Sequence, residues 1–143
     1  MSENKTLIVY ATRGGTTEEY AKAINSVLTD EFKMQVDLVN LKNTRNPDLT
    51  PYQNIIVGAG IRMFRMHKEG AQFLEKRDFG EKNVGIFLSS LVPRDEAIKK
   101  YVDVILQKNT TLKPIAVEVF RGVRAHIEKA KEWTRKIAEH LRS

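Results

Sequence analysis

The chain has 143 residues with a formal net charge of +6, a length that suits one domain removing roughly two-thirds of its unfolded surface from water. It contains no cysteine, which excludes disulfides, thiolate metal sites and a cysteine nucleophile, so any redox chemistry must come from a bound cofactor. The N-terminus has no apolar signal core, and the longest apolar run, 55–61, is far shorter than the ~20 residues of a membrane helix. The sequence therefore predicts a soluble, cytoplasmic protein.

Five short apolar runs predict parallel strands that are buried on both faces. Apolar residues at helical spacing separate them, except in the segment 40–51, which is rich in Asn, Asp, Thr and Pro, so any helix there is expected to be short or absent. This alternation predicts an α/β fold, a three-layer doubly wound sandwich with a five-stranded parallel sheet of order 2-1-3-4-5. The predicted strands are Thr6–Ala11, Met34–Leu38, Asn54–Gly60, Val84–Ser89 and Ile115–Val119, and a long final helix carries Val123, Ile127, Ala130, Trp133, Ile137 and Leu141.

A turn rich in glycine and hydroxyl residues follows the first predicted strand. Its glycines let the backbone approach an anion, and its threonines open a helix whose first N–H groups lack helical partners. Such a turn can hold a phosphate without a metal, although a tight turn with a helix cap has the same composition. An arginine within it either reaches the phosphate or extends into water. The predicted phosphate site consists of Thr12, Arg13, Gly14, Gly15, Thr16 and Thr17.

Two further loops are predicted to meet this turn. In the order 2-1-3-4-5 the sheet reverses direction between the first and third strands, and ligands bind beyond the carboxyl ends there. Backbone N–H groups in both loops suit the polar edge of a flat ring, and Met63 or Phe64 suits its face. The candidate ring-binding residues are Gly60, Ile61, Arg62, Met63 and Phe64 after the third strand, and Ser89, Ser90, Leu91 and Val92 after the fourth.

Several other site types are not supported. The sequence has no Gly-Lys-Ser/Thr, no Gly-x-Gly-x-x-Gly and no Gly-x-Ser-x-Gly motif, which argues against a nucleoside triphosphate loop, a dinucleotide fold and a hydrolase elbow. The three histidines lack metal-ligand spacing, and no acidic pair follows the first strand as a phosphorylated receiver domain requires. The three loops taken together suit a flavin mononucleotide, which needs a phosphate cradle and two loops that hold a flat, mostly apolar ring and its polar edge.

Over nearly the whole chain the sequence resembles short-chain flavodoxin domains. Their phosphate loop has the approximate pattern Ser/Thr-x-Thr-Gly-x-Thr, which Thr12, Gly15 and Thr17 match and from which Gly14 departs. The resemblance implies noncovalently bound FMN, cycling between oxidised and reduced forms in electron transfer. Within this group the sequence is similar to flavodoxin-like, menaquinone-dependent protoporphyrinogen oxidases, at Thr12-Arg13, Gly15, Thr17, Gly58, Ile61-Arg62, His67-Lys68, Phe73-Leu74, Phe87 and Leu91-Val92.

The resemblance leaves a one-electron carrier and a flavin-dependent dehydrogenase open. A carrier needs an exposed flavin edge and a docking surface, whereas a dehydrogenase needs a pocket over the ring and a positioned acid or base, for which His67 is the nearest candidate. Flavodoxins generally surround their flavin with acidic residues. Here Arg62, Arg65, His67 and Lys68 crowd the loop after the third strand, so we expect the bound flavin to have a higher redox potential than in acidic flavodoxins.

The C-terminal part of the chain is basic, which suits an acidic protein, anionic lipid head groups or nucleic acid, although a helix face that only contacts water has the same composition. A redox partner protein or a quinone is expected to exchange electrons with the flavin, and the last helix is predicted to form the docking face. Peripheral membrane contact stays open, and nucleic acid is disfavoured because aromatic residues are not interleaved with the basic ones. The alternative is a flavin-free interaction module that uses the same helix. The predicted docking residues are Arg124, Lys131, Arg135 and Arg142.

Overall fold

The computed structural model describes residues 5–12, 15–121 and 126–142. Within these ranges the chain forms a parallel sheet whose strand order is β2-β1-β3-β5-β6, and a two-residue strand, β4, pairs antiparallel with β3 outside that path. The predicted doubly wound order is thereby confirmed, with β4 as an addition to the five expected strands. The strands are β1 Thr6–Ala11, β2 Val36–Asn40, β3 Asn54–Arg62, β4 Arg65–Met66, β5 Asn83–Ser89 and β6 Ala116–Phe120.

Helices cover both faces of the sheet. Two of the helical segments include π-helical turns. The spacing of apolar residues did not predict them, because a single π turn barely changes that spacing. In the part of the chain that the structure describes, no helix is long and apolar enough to cross a membrane. The helices are α1 Thr16–Ser26, continued by a π turn at Val27–Glu31; α2 Lys68–Lys76; α3 Arg94–Ala97, continued by a π turn at Ile98–Val102; α4 Asp103–Lys108; and α5 Ile127–Arg142.

Alternate residues of each central strand enter two different cores. On β1, Leu7 and Val9 pack beneath α2 and α4, whereas Ile8 and Tyr10 pack beneath α1 and α5. All six residues of β1 are buried. Burial on both faces removes the need for polar alternation, which is why the first strand reads as a continuous apolar run and its predicted bounds match the observed ones.

Aromatic rings fill the core beneath α1 and α5. Phe87 contacts Tyr20, Phe120 and Trp133, with ring centroids 5.9 to 6.5 Å apart. The Phe87 ring lies directly over Gly58, where an added Cβ would come within 2.0 Å of the ring atom Cζ. The close approach of β3 to this ring therefore requires glycine at position 58.

A buried asparagine joins four elements at the amino edge of the sheet. Asn54 donates through Nδ2 to Thr6 Oγ1 at 3.1 Å and to the Leu141 carbonyl at 2.8 Å. Its Oδ1 accepts from Asn83 Nδ2 at 2.9 Å. These bonds connect β1, β3 and β5 and place the C-terminal end of α5 at the edge opposite to the predicted site.

The bounds of β2, β3, β5 and β6 differ from the sequence-based expectations by one or two residues, and those of β2 and β3 differ most. Lys33 has a φ of 57°, and the next N–H, of Met34, donates to the Leu28 carbonyl at 3.0 Å. This helix-ending turn consumes the start of the predicted second strand, which begins at Val36 instead of Met34. Strand β3 continues past Gly60 because Ile61 and Arg62 pair with β4. As expected, no helix lies in 41–53, a stretch that the structure describes throughout.

Candidate functional site

The three predicted loops begin at neighbouring points on the carboxyl edge of the sheet. Ala11 lies opposite Ala59 in the register of β1 and β3, and Gly60 lies opposite Ser89 in that of β3 and β5. Adjacent strands lie about 4.8 Å apart. The loops after β1, β3 and β5 are therefore brought together at one crevice, at the topological switch point.

The first loop leads into the N-terminus of α1, which no side chain of the described residues caps. Gly15 has a φ of 89°, a left-handed conformation that favours glycine, and its N–H donates to Thr12 Oγ1 at 3.1 Å. Helix α1 begins at the next residue, Thr16, and Gly15 supplies no side-chain cap. The N–H groups of the first turn can therefore serve an anion. Arg13 and Gly14, predicted for the same site, lie outside the described residues.

The first and second loops touch at Thr17. This side chain is buried, and a Cβ added at Gly60 would come within 3.1 Å of Thr17 Oγ1. A side chain at position 60 would require Thr17 or the end of β3 to shift by a few tenths of an ångström. The phosphate turn and the end of β3 are therefore close neighbours.

The carboxylate of Glu18, in the first turn of α1, has two local partners. Its Oε2 accepts from the Tyr10 hydroxyl at 3.2 Å and pairs with Lys22 Nζ at 3.4 Å. Burial, followed by the neighbouring Glu18 charge, raises the pKa of Tyr10. Lys22 offsets part of the negative charge that would otherwise oppose an anion at this helix end.

The second loop is a tight hairpin between β3 and β4. Ile61 and Arg62 belong to β3, and only Met63 and Phe64 form the turn. Their φ values are 52° and 63°, the left-handed pair typical of two-residue hairpins that usually carry Asn-Gly. Met63 is 84% exposed and Phe64 69% exposed. Both apolar side chains are thus available to a ligand or a partner.

Cations surround this turn. Arg62 and Arg65 lie directly opposite each other in the β3–β4 register, and Lys100 Nζ lies 5.1 Å from the centroid of the Phe64 ring. Arg62, Arg65 and Lys68 are exposed, and none of them forms an ion pair within 5–12, 15–121 and 126–142. The structure therefore places the predicted cluster of cations beside the crevice.

His67 is a helix-end residue with a largely buried side chain. Its backbone N–H donates to the Gly60 carbonyl at 2.8 Å, and α2 begins at the following residue. Its Nδ1 lies 3.8 Å from Glu69 Oε1 and has no hydrogen-bond partner among the residues that the structure describes. Glu69 also pairs with Arg45 Nε at 3.5 Å. His67 thus closes the base of the hairpin, and its imidazole lies against Glu69.

In the third loop the serine groups form the turn itself. Ser89 and Ser90 are buried; the Ser90 N–H donates to the Phe120 carbonyl at 2.9 Å, and Ser90 Oγ accepts from the Val92 N–H at 2.9 Å. Leu91 is 76% exposed, and its carbonyl accepts from Arg121 Nη2 at 3.1 Å. Leu91 is therefore the part of the third loop that is most accessible to a ligand.

Two residues that shape the site were not found from the sequence. Lys100 reaches Phe64 from the π turn after α3, and Arg121 fixes the Leu91 carbonyl from just beyond β6. Both contacts join segments that are about 30 residues apart or more. No local spacing signals such a contact, so only the folded chain reveals it.

The predicted docking residues on α5 have acidic partners. Arg135 donates through Nε and Nη2 to the two carboxylate oxygens of Glu31, both at 2.8 Å, and its hydrogen bonds are the main cause of the lowered pKa of Glu31. Lys131 lies 3.7 Å from Glu128 and Arg142 lies 3.3 Å from Glu139. Arg124 lies outside the described residues. Arg142 also stands at the amino edge of the sheet, beside Leu141, away from the crevice.

Comparison with known proteins adds to this geometry. Residues 7–142 match a family model described as a flavodoxin domain. Protoporphyrinogen IX dehydrogenase (quinone) of Escherichia coli (strain K12) is 35% identical over 72 residues, which are 50% of this chain and 39% of that protein. The chain thus matches about two-fifths of the length of that relative.

Solved structures of similar fold cover almost the whole chain. Oxidised flavodoxin 2 from Bacillus cereus is 24% identical with a TM-score of 0.72, and the match covers 95% of this chain and 99% of that one. Fusobacterium nucleatum flavodoxin bound to flavin mononucleotide is 16% identical with a TM-score of 0.64, over 95% of this chain and 98% of that one. At these identities the likeness establishes the fold.

Proposed function

The chain belongs to the flavodoxin domain family, and from this we propose that it binds FMN noncovalently at the carboxyl edge of the sheet and acts in electron transfer. One observation carries the proposal. The N-terminus of α1, which has no side-chain cap among the described residues, lies beside the end of β3, where a Cβ added at Gly60 would come within 3.1 Å of Thr17 Oγ1. A cradle for a phosphate therefore adjoins two loops with exposed apolar side chains, as a phosphorylated flat ring requires.

The proposal gives each group of site residues its own role. Backbone N–H groups of the first turn of α1 and the hydroxyls of Thr12, Thr16 and Thr17 hold the phosphate, since the Thr12 oxygen accepts from Gly15 and its proton stays available. Met63, Phe64 and Leu91 cover the ring. When bound, FMN supplies one- and two-electron redox chemistry. The full proposed set is Thr12, Arg13, Gly14, Gly15, Thr16, Thr17, Gly60, Ile61, Arg62, Met63, Phe64, Ser89, Ser90, Leu91 and Val92.

The test is flavin retention. The purified protein is mixed with FMN or with riboflavin, passed through a desalting column and examined by absorption spectroscopy. We expect FMN to be retained with a shifted visible band and riboflavin to be lost, because only FMN carries the phosphate that the α1 turn binds. Loss of both flavins would refute the proposal and favour the flavin-free interaction module.

A flavin-dependent dehydrogenase is a second candidate, because the 35% identity to protoporphyrinogen IX dehydrogenase (quinone) extends over half of this chain. Protoporphyrinogen IX, the FMN-loaded protein and a soluble menaquinone analogue are incubated without oxygen, and porphyrin fluorescence is followed. A rate well above that of free FMN with the same quinone would support the dehydrogenase. A rate equal to that background would leave the electron carrier.

The partner is proposed to be a redox protein or a quinone in the cytoplasm, with membrane contact limited to the periphery. The predicted α5 docking face of Arg124, Lys131, Arg135 and Arg142 stays part of the proposal. Neutralising Lys131 tests it with little structural cost, because its pair with Glu128 is long and exposed. A fall in the rate of electron exchange with an acidic redox protein would support the α5 face, and an unchanged rate would contradict it.

A further inference from the structure

The tip of the β3–β4 hairpin, residues 62–65, is exposed and combines two arginines with the apolar side chains of Met63 and Phe64, which are proposed above to cover the FMN ring. Its sequence is Arg-Met-Phe-Arg, and all four residues are exposed. We propose that this hairpin tip is a docking surface for an acidic protein partner. That this partner is a redox protein rests on the proposed electron-transfer function.

The two positive charges of the tip destabilise the pairing of β3 and β4. Arg62 and Arg65 lie directly opposite each other across β3 and β4, and like charges in this position destabilise a strand pair. Neither arginine has an acidic partner in the described ranges, whereas Lys131, Arg135 and Arg142 on α5 each have one. Both hairpin arginines are therefore available to an external carboxylate.

The apolar residues of the tip also adopt an unfavourable backbone conformation. Met63 and Phe64 both adopt positive φ values, which disfavour residues other than glycine and asparagine. They are nevertheless 84% and 69% exposed, so burial in this molecule does not compensate for the backbone conformation. The proposed FMN ring and a partner docked against the hairpin tip would together supply that burial.

The composition favours a protein over a membrane. Arginine, methionine and aromatic residues are the types enriched in the centre of protein interfaces, where lysine is depleted. The tip consists only of these types, and the lysines Lys68 and Lys100 stand around it as a rim. A membrane-binding surface would instead present a broad apolar helix face, which α2, with its core-facing Phe73 and Leu74, does not have.

The hairpin is also fixed before a partner arrives. The His67 N–H donates to the Gly60 carbonyl at 2.8 Å at its base, Ile61 pairs with Met66, and Lys100 Nζ lies 5.1 Å from the Phe64 ring centroid. A rigid tip loses little conformational entropy on binding. Its charges then steer the encounter, so binding should depend strongly on ionic strength.

The experiment measures binding of an oxidised, acidic two-iron ferredoxin of the plant type by isothermal titration calorimetry at low and high salt. The test variant is Arg65→Glu, and the matched control is Lys113→Glu, which makes the same charge change at an exposed position before β6, at the amino edge of the sheet. We expect Arg65→Glu to raise Kd by about tenfold at low salt and Lys113→Glu by less than about twofold. The difference should shrink at high salt.

Folding of the test variant is not in question, because a glutamate at position 65 would lie opposite Arg62 and convert a repulsive pair into an attractive one. A merely structural role for Arg65 would therefore leave the ferredoxin Kd unchanged or lower it. Equal effects of the two variants, or no binding of ferredoxin by the unmodified protein, would overturn the proposal. Sedimentation with phosphatidylglycerol vesicles in the absence of ferredoxin binding would overturn it in favour of a lipid surface.

The titration is run on the protein both with and without added FMN. If FMN is not retained but ferredoxin binding depends on Arg65, the proposed cofactor fails and the docking surface stands. If FMN is retained but ferredoxin binding is insensitive to Arg65, the cofactor stands and the docking surface fails.

Discussion

At the scale of single residues, Gly15 determines how α1 presents its first N–H groups. Its φ of 89° is strained for any residue with a Cβ, although the space around it is open. Gly80 offers a matched control, since it has a φ of 52°, open space around it and a position at the amino edge of β5. The two glycines share the conformational demand and differ in their distance from the crevice.

We therefore expect Gly15→Ala and Gly80→Ala each to lower the free energy of unfolding by about 1 kcal/mol. Only Gly15→Ala should weaken FMN binding, by about fivefold to tenfold, because relief of the strain reorients the first turn of α1. Urea denaturation and FMN fluorescence titration measure the two effects. An equal FMN affinity in both variants would show that the turn does not hold the phosphate.

Met63 and Phe64 occupy a turn that Asn-Gly would fit better. We expect the double variant Met63→Asn/Phe64→Gly to raise the free energy of unfolding by about 1 kcal/mol, because the positive φ values would no longer be strained. Urea denaturation measures this change in the free energy of unfolding. The control is Lys100→Gln, which removes the contact between Lys100 and Phe64 without changing the turn. A less stable double variant would mean that this contact outweighs the strain.

At the scale of elements, a two-point ion pair ties α5 to the π turn that follows α1. Arg135 holds the pKa of Glu31 below its ordinary value of 4.5. A carboxyl with a depressed folded-state pKa stabilises the fold above its unfolded pKa, and this contribution is lost as the pH falls through the folded-state value. The pair should therefore matter at neutral pH and vanish in acid.

Thermal unfolding across a pH series checks this expectation. The Tm of Glu31→Gln should lie below that of the unmodified protein at pH values above 4.5, and the two should converge at lower pH. Glu81→Gln, at an exposed position without an ion pair in the described ranges, should show no comparable difference. A gap that persists in acid would assign the effect to packing instead of charge.

At the scale of the whole molecule, the placement of charge bears on the proposed cofactor. The double variant Arg62→Gln/Lys68→Gln removes two cations beside the crevice. It should lower the two-electron midpoint potential of bound FMN by about 20 to 40 mV, because two exposed cations near the flavin would stabilise its negatively charged reduced form by about 1 to 2 kcal/mol. Lys129→Gln/Lys136→Gln removes the same charge from α5 and should leave the potential unchanged. Spectroelectrochemical titration compares them, and equal shifts would contradict a local effect.

The sequence predicted the sheet better than the site. The strand order and the bounds of β1 followed from apolar runs, because burial on both faces leaves a continuous pattern. The hairpin was not predicted from the sequence, since Met63-Phe64 lacks the Asn and Gly that normally mark such a turn. The second strand was placed two residues early because the helix-ending turn at Lys33 contains no glycine. That the loops hold FMN stays a prediction.

The buried amide of Asn54 gives the two edges of the sheet different mechanical properties. At the amino edge it joins β1, β3, β5 and the end of α5 through side-chain hydrogen bonds, whereas at the carboxyl edge the strands run into separate loops. Local openings that expose backbone amides should therefore be rarer at the amino edge. Hydrogen–deuterium exchange should quicken along β3 from Asn54 towards Arg62, so that the sheet loosens gradually towards the crevice.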